Sequence, residues 1–133
     1  SRDPRDVFIM NKYFWKPRNQ EVPYPTDVKT FCNYYKMMRE NEKKTETLTL
    51  RLNFEDLVLH YEETKEKIVN FIGIDCIHHK EKFRYFNPNI SMNNLQVYNR
   101  DVKYIQEVEV IESELSEYLY NFKNDIISNG DVF

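Results

Sequence analysis

"TLTLRLNFEDLVLH", residues 47–60, is the stretch on which the fold turns. Its first eight residues alternate between apolar and polar side chains. Successive side chains of an extended chain point to opposite faces, so Leu48, Leu50, Leu52 and Phe54 would share one face. A period of two predicts a β-strand over 47–54. Residues 55–60 then read as a connection from that strand to a helix. Over 62–72, Ile68, Val69 and Ile72 recur at helical spacing and are expected to point inward, and Gly73 follows as a helix-ending residue. Strand, connection and helix in this order are the repeating unit of α/β domains.

Working outward, Asp3 and Pro4 read as the N-cap and first residue of a helix continued by Val7, Phe8, Met10, Asn11 and Phe14. Residues 16–25 contain Pro17, Pro23 and Pro25 and read as a loop. Thr26 or Asp27 caps a second helix that runs to about Glu42, with Val28, Phe31, Cys32, Tyr35 and Met38 at helical spacing. Residues 43–46 form a polar turn. Downstream, 78–85 reads as a further turn or two of helix, and 86–91 as a loop around Pro88. Residues 102–124 read as a helix or helix pair, striped by Ile105, Val108, Ile111, Leu115, Leu119 and Phe122. One strand is not a sheet. The expectation is therefore a single, partial α/β domain over residues 1–133, mostly helical with one or two strands. Residues 47–54 would then present an unpaired edge, covered by a missing N-terminal half, a partner strand or self-association.

Composition narrows the function. The chain has 133 residues, and 41% hydrophobic with 15% aromatic content excludes a disordered tail. No apolar run approaches the roughly 20 residues of a membrane span. The net charge of −3 argues against nucleic-acid binding. That charge is uneven: residues 1–18 carry five basic side chains against two acidic ones, a balance of +3, and the remainder sums to −6. A local basic site on an acidic body suits a small anion. With two glycines, Gly73 and Gly130, neither a Walker A loop nor a dinucleotide-binding turn fits in these residues. Phosphate must be held by side chains and a helix N-terminus. Cys32 and Cys76 form no CxxC pair and make no disulfide framework, which points to a reducing, cytoplasmic setting. His78 and His79 are adjacent and have no cysteine at ligand spacing, so no zinc site is expected. The acidic run over 106–117 reads as the solvated face of an amphipathic helix. Tyr13, Phe14, Trp15 and Tyr24 flank the proline-rich loop, either as an acceptor-pocket wall or as packing beneath it.

The opening stretch, "SRDPRDVFIMNKYF" at 1–14, puts Arg2 where a strand would end and Pro4 where a helix begins. Phosphate at such a junction gains the helix dipole, free N–H groups and the planar fork of an arginine. The competing reading is an Arg/Asp ion-pair cluster that caps a helix.

Three stretches together resemble one enzyme family. "RDPRDVFIMNKYF" (2–14) is similar to the 3′-phosphate-binding segment of sulfotransferases that use 3′-phosphoadenosine 5′-phosphosulfate (PAPS). "LTLRLNFEDLVLHYEETKEKIVNFIGI" (48–74) resembles that family's later strand, turn and helix, and "YFNPNISMNNLQVY" (85–98) its late loop. The blocks occur in family order. The resemblance implies the C-terminal half of a P-loop-like sulfotransferase domain. It implies transfer of a sulfuryl group from PAPS to a hydroxyl or amine of a small-molecule or carbohydrate acceptor. By the same resemblance Arg2 contacts the 3′-phosphate and Phe54 lies near the adenine. Asp6, Glu55 and Asp56 are implied to be structural. The family's phosphate-binding serine corresponds to Met10, which has no donor, so Asn11 next to it becomes the candidate. The 5′-phosphosulfate loop and the general base are expected upstream of residue 1; His60, His78 and His79 come too late to match that base. No catalytic residue is then expected in this chain, which alone would be inactive. Met10 motivates an alternative: a non-catalytic nucleotide- or partner-binding module derived from that fold. A helical interaction domain is the third reading.

Overall fold

A computed structural model describes residues 1–18, 21–74 and 82–122. In chain order its α-helices are α1 (Pro4–Ile9), α2 (Val28–Lys43), α3 (Phe54–Leu59), α4 (Tyr61–Ile72), α5 (Pro88–Ser91) and α6 (Ile105–Glu114). A π-helical segment, Met10–Trp15, continues α1, and 3₁₀ turns occupy Met92–Asn94, Val97–Asn99, Val102–Tyr104 and Ser116–Tyr118. No strand occurs among the described residues, which overturns the α/β expectation.

The failure at 47–54 has a physical cause. Alternation says where side chains point; a strand exists only where a neighbour takes its N–H and C=O groups. Leu48 is 85% exposed and Leu50, Leu52 and Phe54 are only half-buried, so the supposed inner face is nowhere fully covered. Helix α3 begins at Phe54 itself, with Asn53 as an extended N-cap residue. One trace of pairing survives. The Ser1 amine donates to the Leu52 carbonyl at 2.7 Å, and the Ser1 carbonyl accepts from the Phe54 N–H at 2.8 Å. This is the bonding of one rung of a parallel ladder, with Ser1 opposite Asn53.

The chain divides into two compact units. The first comprises residues 2–48 and 96–120 and holds α1, the π-helical segment, α2 and α6. Asp27 caps α2 as expected, accepting from the Thr30 N–H at 2.9 Å. Phe8 and Ile9 of α1, Phe31 of α2, and Ile111 with the following Leu115 are completely buried. The Phe8 and Phe31 rings lie 5.0 Å apart, and Phe31 and Tyr35 5.8 Å apart. Each such side chain contributes roughly 1.5–3 kcal/mol by leaving water. The expected long helix over 102–124 is shorter. Leu115 leaves the helical region at φ −120° and ψ 28°, and a 3₁₀ turn follows. Tyr13, Phe14 and Tyr24 pack against this core.

The second unit comprises Ser1, residues 49–95 and the described residues Asn121 and Phe122. His60, at φ −127° and ψ 53°, ends α3 and starts α4. Gly73 ends α4 in the left-handed conformation at φ 73°, as its position predicts. The Thr64 hydroxyl donates to the Asp56 carbonyl at 3.0 Å and joins the two helices. The inward face expected of Ile68, Val69 and Ile72 is not buried: the first two are half-exposed and Ile72 is 57% exposed. Residues 82–85 form a turn, not a helix, and the expected 78–81 portion lies outside the described residues. The loop expected around Pro88 contains α5, with Pro88 first and Asn87 as its cap. No helix among the described residues is long and apolar enough to cross a membrane.

Core burial separates two substitutions. Phe8→Ala is expected to cost about 3–5 kcal/mol in urea unfolding, as deletion of a buried ring does. Ile72→Ala is expected to stay within about 0.5 kcal/mol, as at an exposed position.

Candidate functional site

The opening turn is built around a buried carboxylate. Asp3 is the N-cap of α1, and it accepts from the Arg5 backbone N–H at 2.9 Å. It also accepts from Arg5 Nε at 3.0 Å and Arg5 Nη2 at 2.7 Å, a two-point grip on the guanidinium. The Tyr120 N–H reaches the same carboxylate at 2.9 Å. Arg5 in turn donates from Nη1 to Glu112 at 2.8 Å and lies 4.2 Å above the centre of the Tyr98 ring. Burial works against the Arg5 cation, but Asp3 and Glu112 outweigh it and its pKa is raised. Burial also pushes the Tyr98 hydroxyl up, against the pull of Arg5. This is the ion-pair cluster that the sequence left open as the competing reading.

Asp6, in the first turn of α1, is completely buried. Its carboxylate accepts from the Gln96 N–H at 2.8 Å and the Tyr98 N–H at 3.3 Å. Gln96 is left-handed at φ 52°, which is strained for a residue with a side chain. Asp6 thus fastens a strained turn to α1. Burial pushes the Asp6 carboxyl up to about 7; Arg2 pulls it down, Asp3 adds to the rise, and the two backbone donors pull it down.

Arg2 sits just before this cap. It is half-buried, its carbonyl accepts from the Tyr35 hydroxyl at 2.9 Å, and its charge acts on Asp6. Asn11 is completely buried. Its Nδ2 donates to the Tyr24 carbonyl at 2.9 Å and its Oδ1 accepts from the Tyr24 N–H at 3.3 Å, so it supports the proline-rich loop and offers no exposed atom to a ligand. Phe54 belongs to the second unit, where it opens α3 and packs edge-on against Phe86 at 6.4 Å. Glu55 beside it is completely buried, and Asp56 accepts from Asn53 Nδ2 at 3.2 Å.

The basic excess of residues 1–18 is smaller as a surface than as a count. Arg5 is neutralised inside the fold. Lys12 pairs with Glu107, and the Tyr13 hydroxyl donates to the same carboxylate. Burial lowers the Lys12 pKa and Glu107 raises it, with a net rise. Lys16 reaches the Thr26 hydroxyl at 3.2 Å. Reading the sequence did not single out Glu107, Glu112 or Tyr120 as partners. They lie some ninety or more positions away, and no local spacing signals such pairs. Among the described residues no group of His, Cys, Asp and Glu is arranged to hold a metal ion. Cys32 is buried and free, while Cys76, His78 and His79 lie outside the described residues.

Comparison of the chain with family models, curated proteins and solved structures finds no match.

Two measurements probe this cluster. Asp3→Ala removes the cap and leaves Arg5 buried without its main partner, and is expected to cost about 3–5 kcal/mol in urea unfolding. Asp6 gives a pH signature. Its folded-state pKa, about 7, lies above the ordinary 3.8. The stability it contributes is therefore full below pH 4 and is lost as pH rises toward 7. Unfolding midpoints measured across that window should fall for the natural chain relative to Asp6→Asn, which has no proton to lose.

Proposed function

We propose that this chain is the nucleotide-gripping portion of a PAPS-dependent sulfotransferase, with Arg2 on the cofactor's 3′-phosphate and a hydroxyl or amine as acceptor. The observation that carries the reading is the closure of Asp6 onto Gln96 and Tyr98. Asp6 lies in the first of the three resembling stretches, and Gln96 and Tyr98 end the third. The first and third of the resembling stretches thus meet through hydrogen bonds to a buried carboxylate.

In this reading Arg2 supplies a planar, permanently charged fork to a phosphate. Its hold on the far end of the cofactor is remote binding energy, which accelerates transfer only where the reacting sulfuryl group is held as well. Transfer itself needs charge stabilisation on that group and a base for the acceptor proton. Neither role is assigned to a described residue.

One observation favours a second reading, a non-catalytic nucleotide- or partner-binding module. Met10 packs against the core in the place of the family's serine, and the buried Asn11 does not replace it.

Calorimetric titration with adenosine 3′,5′-bisphosphate tests the proposal. Saturable binding that Arg2→Ala weakens at least about tenfold, near 1.4 kcal/mol, is the expected result. Binding indifferent to Arg2→Ala, or no binding at millimolar ligand, overturns the placement of the 3′-phosphate and leaves the second reading.

A further inference from the structure

Helix α6 presents a stripe that the core does not use. Val102, in the turn leading into the helix, and Ile105, Glu109 and Glu112 follow one another at spacings of three and four, which puts them on one face. Val102 is 82% exposed and Ile105 49% exposed. Together with Tyr98 from the Val97–Asn99 turn they line an open groove of about 320 Å³, with Val108 beneath. The two ends of the groove differ. Val102 and Ile105 make one end apolar, and the Asp101 there is paired with Lys103 at 3.4 Å. Glu109 and Glu112 make the other end acidic. Glu109 is exposed and has no ion partner among the described residues, while Glu112 keeps 43% of its side chain exposed although it holds Arg5.

Single exposed aliphatic side chains are ordinary on a protein surface. Here two lie a turn apart, flank a concavity and lead into two carboxylates, of which Glu109 has no ion partner among the described residues and Glu112 is partly exposed beside Arg5. That order matches one kind of occupant. Lysine and arginine lay an aliphatic stem on apolar surface and project a charge beyond it. A helix carrying apolar residues one turn away from basic ones would set the first on Val102 and Ile105 and the second on Glu109 and Glu112, the usual geometry of an amphipathic helix in a groove. The carboxylates exclude an anionic occupant. The volume, at the small end of ligand sites, fits one or two side chains of a larger partner.

We infer that the groove between the Val97–Asn99 turn and α6 docks a cationic amphipathic helix of a partner protein, its apolar side chains on Val102 and Ile105 and its basic ones on Glu109 and Glu112. This does not depend on the sulfotransferase reading.

The test uses the full chain and a fluorescein-labelled helical peptide with two leucines a turn apart followed by two lysines, read by fluorescence anisotropy. A peptide of the same composition with scrambled order is the control. Saturable binding is expected that weakens with added salt. Ile105→Ser and Glu109→Lys should each reduce affinity at least about tenfold. Both positions are exposed, and circular dichroism checks that the fold survives. Glu66→Lys, at an exposed glutamate in the other unit, should leave affinity unchanged. Equal weakening by Glu66→Lys, indifference to Ile105→Ser, equal binding of the scrambled peptide, or no binding at all would each overturn the inference.

Discussion

The Asp3 carboxylate is the point on which the first unit depends. It caps the N-terminus of α1, neutralises the buried Arg5 and receives the Tyr120 N–H. A buried ion pair is weak evidence of stability in itself, because desolvation offsets much of its attraction. Its force here lies in what breaking it would leave: Arg5 would stay beneath Tyr98 with only Glu112 as counter-charge. Asp6, one turn on, repeats the device with backbone donors. Between them the two carboxylates join α1 to the chain around residues 96–98 and 120.

Much of the local structure was legible in the sequence. Asp3 and Pro4 start a helix, Asp27 caps α2, Phe31, Cys32 and Tyr35 are its buried stripe, and Gly73 ends α4. All of these are decided by a few neighbouring residues. The strand over 47–54 was not legible, because a period of two describes side chains and leaves open whether any backbone lies alongside. The apolar face of α4 misled for a related reason. Helical spacing aligned Ile68, Val69 and Ile72 correctly, but burial needs something to pack against.

The candidate site was legible in part. Arg2 lies just before the Asp3 cap, half-buried, with its charge acting on Asp6. The basic excess of residues 1–18 is reduced as a surface, since Glu107 and Glu112 come from α6 to meet Lys12 and Arg5. Asn11 was the poorest assignment. Its neighbourhood to Met10 made it look available, yet the segment that holds it is π-helical, and its amide faces Tyr24 within the fold. For the ion pairs the cause is distance in sequence: partners drawn from ninety or more residues away leave no local signature.

The division of the chain has a consequence for synthesis. The first unit is assembled from two separated lengths of chain, residues 2–48 and 96–120, with most of the second unit between them. Helices α1 and α2 are made before the intervening residues, and Ile111 and Leu115, which complete their core, only after them. The ends of that long interval must be brought together before the core can close, a step that slows folding where contacts are distant in sequence. The nascent chain therefore carries Phe8 and Phe31 uncovered while the intervening residues are made. Apolar surface left open during such an interval is the kind that favours aggregation.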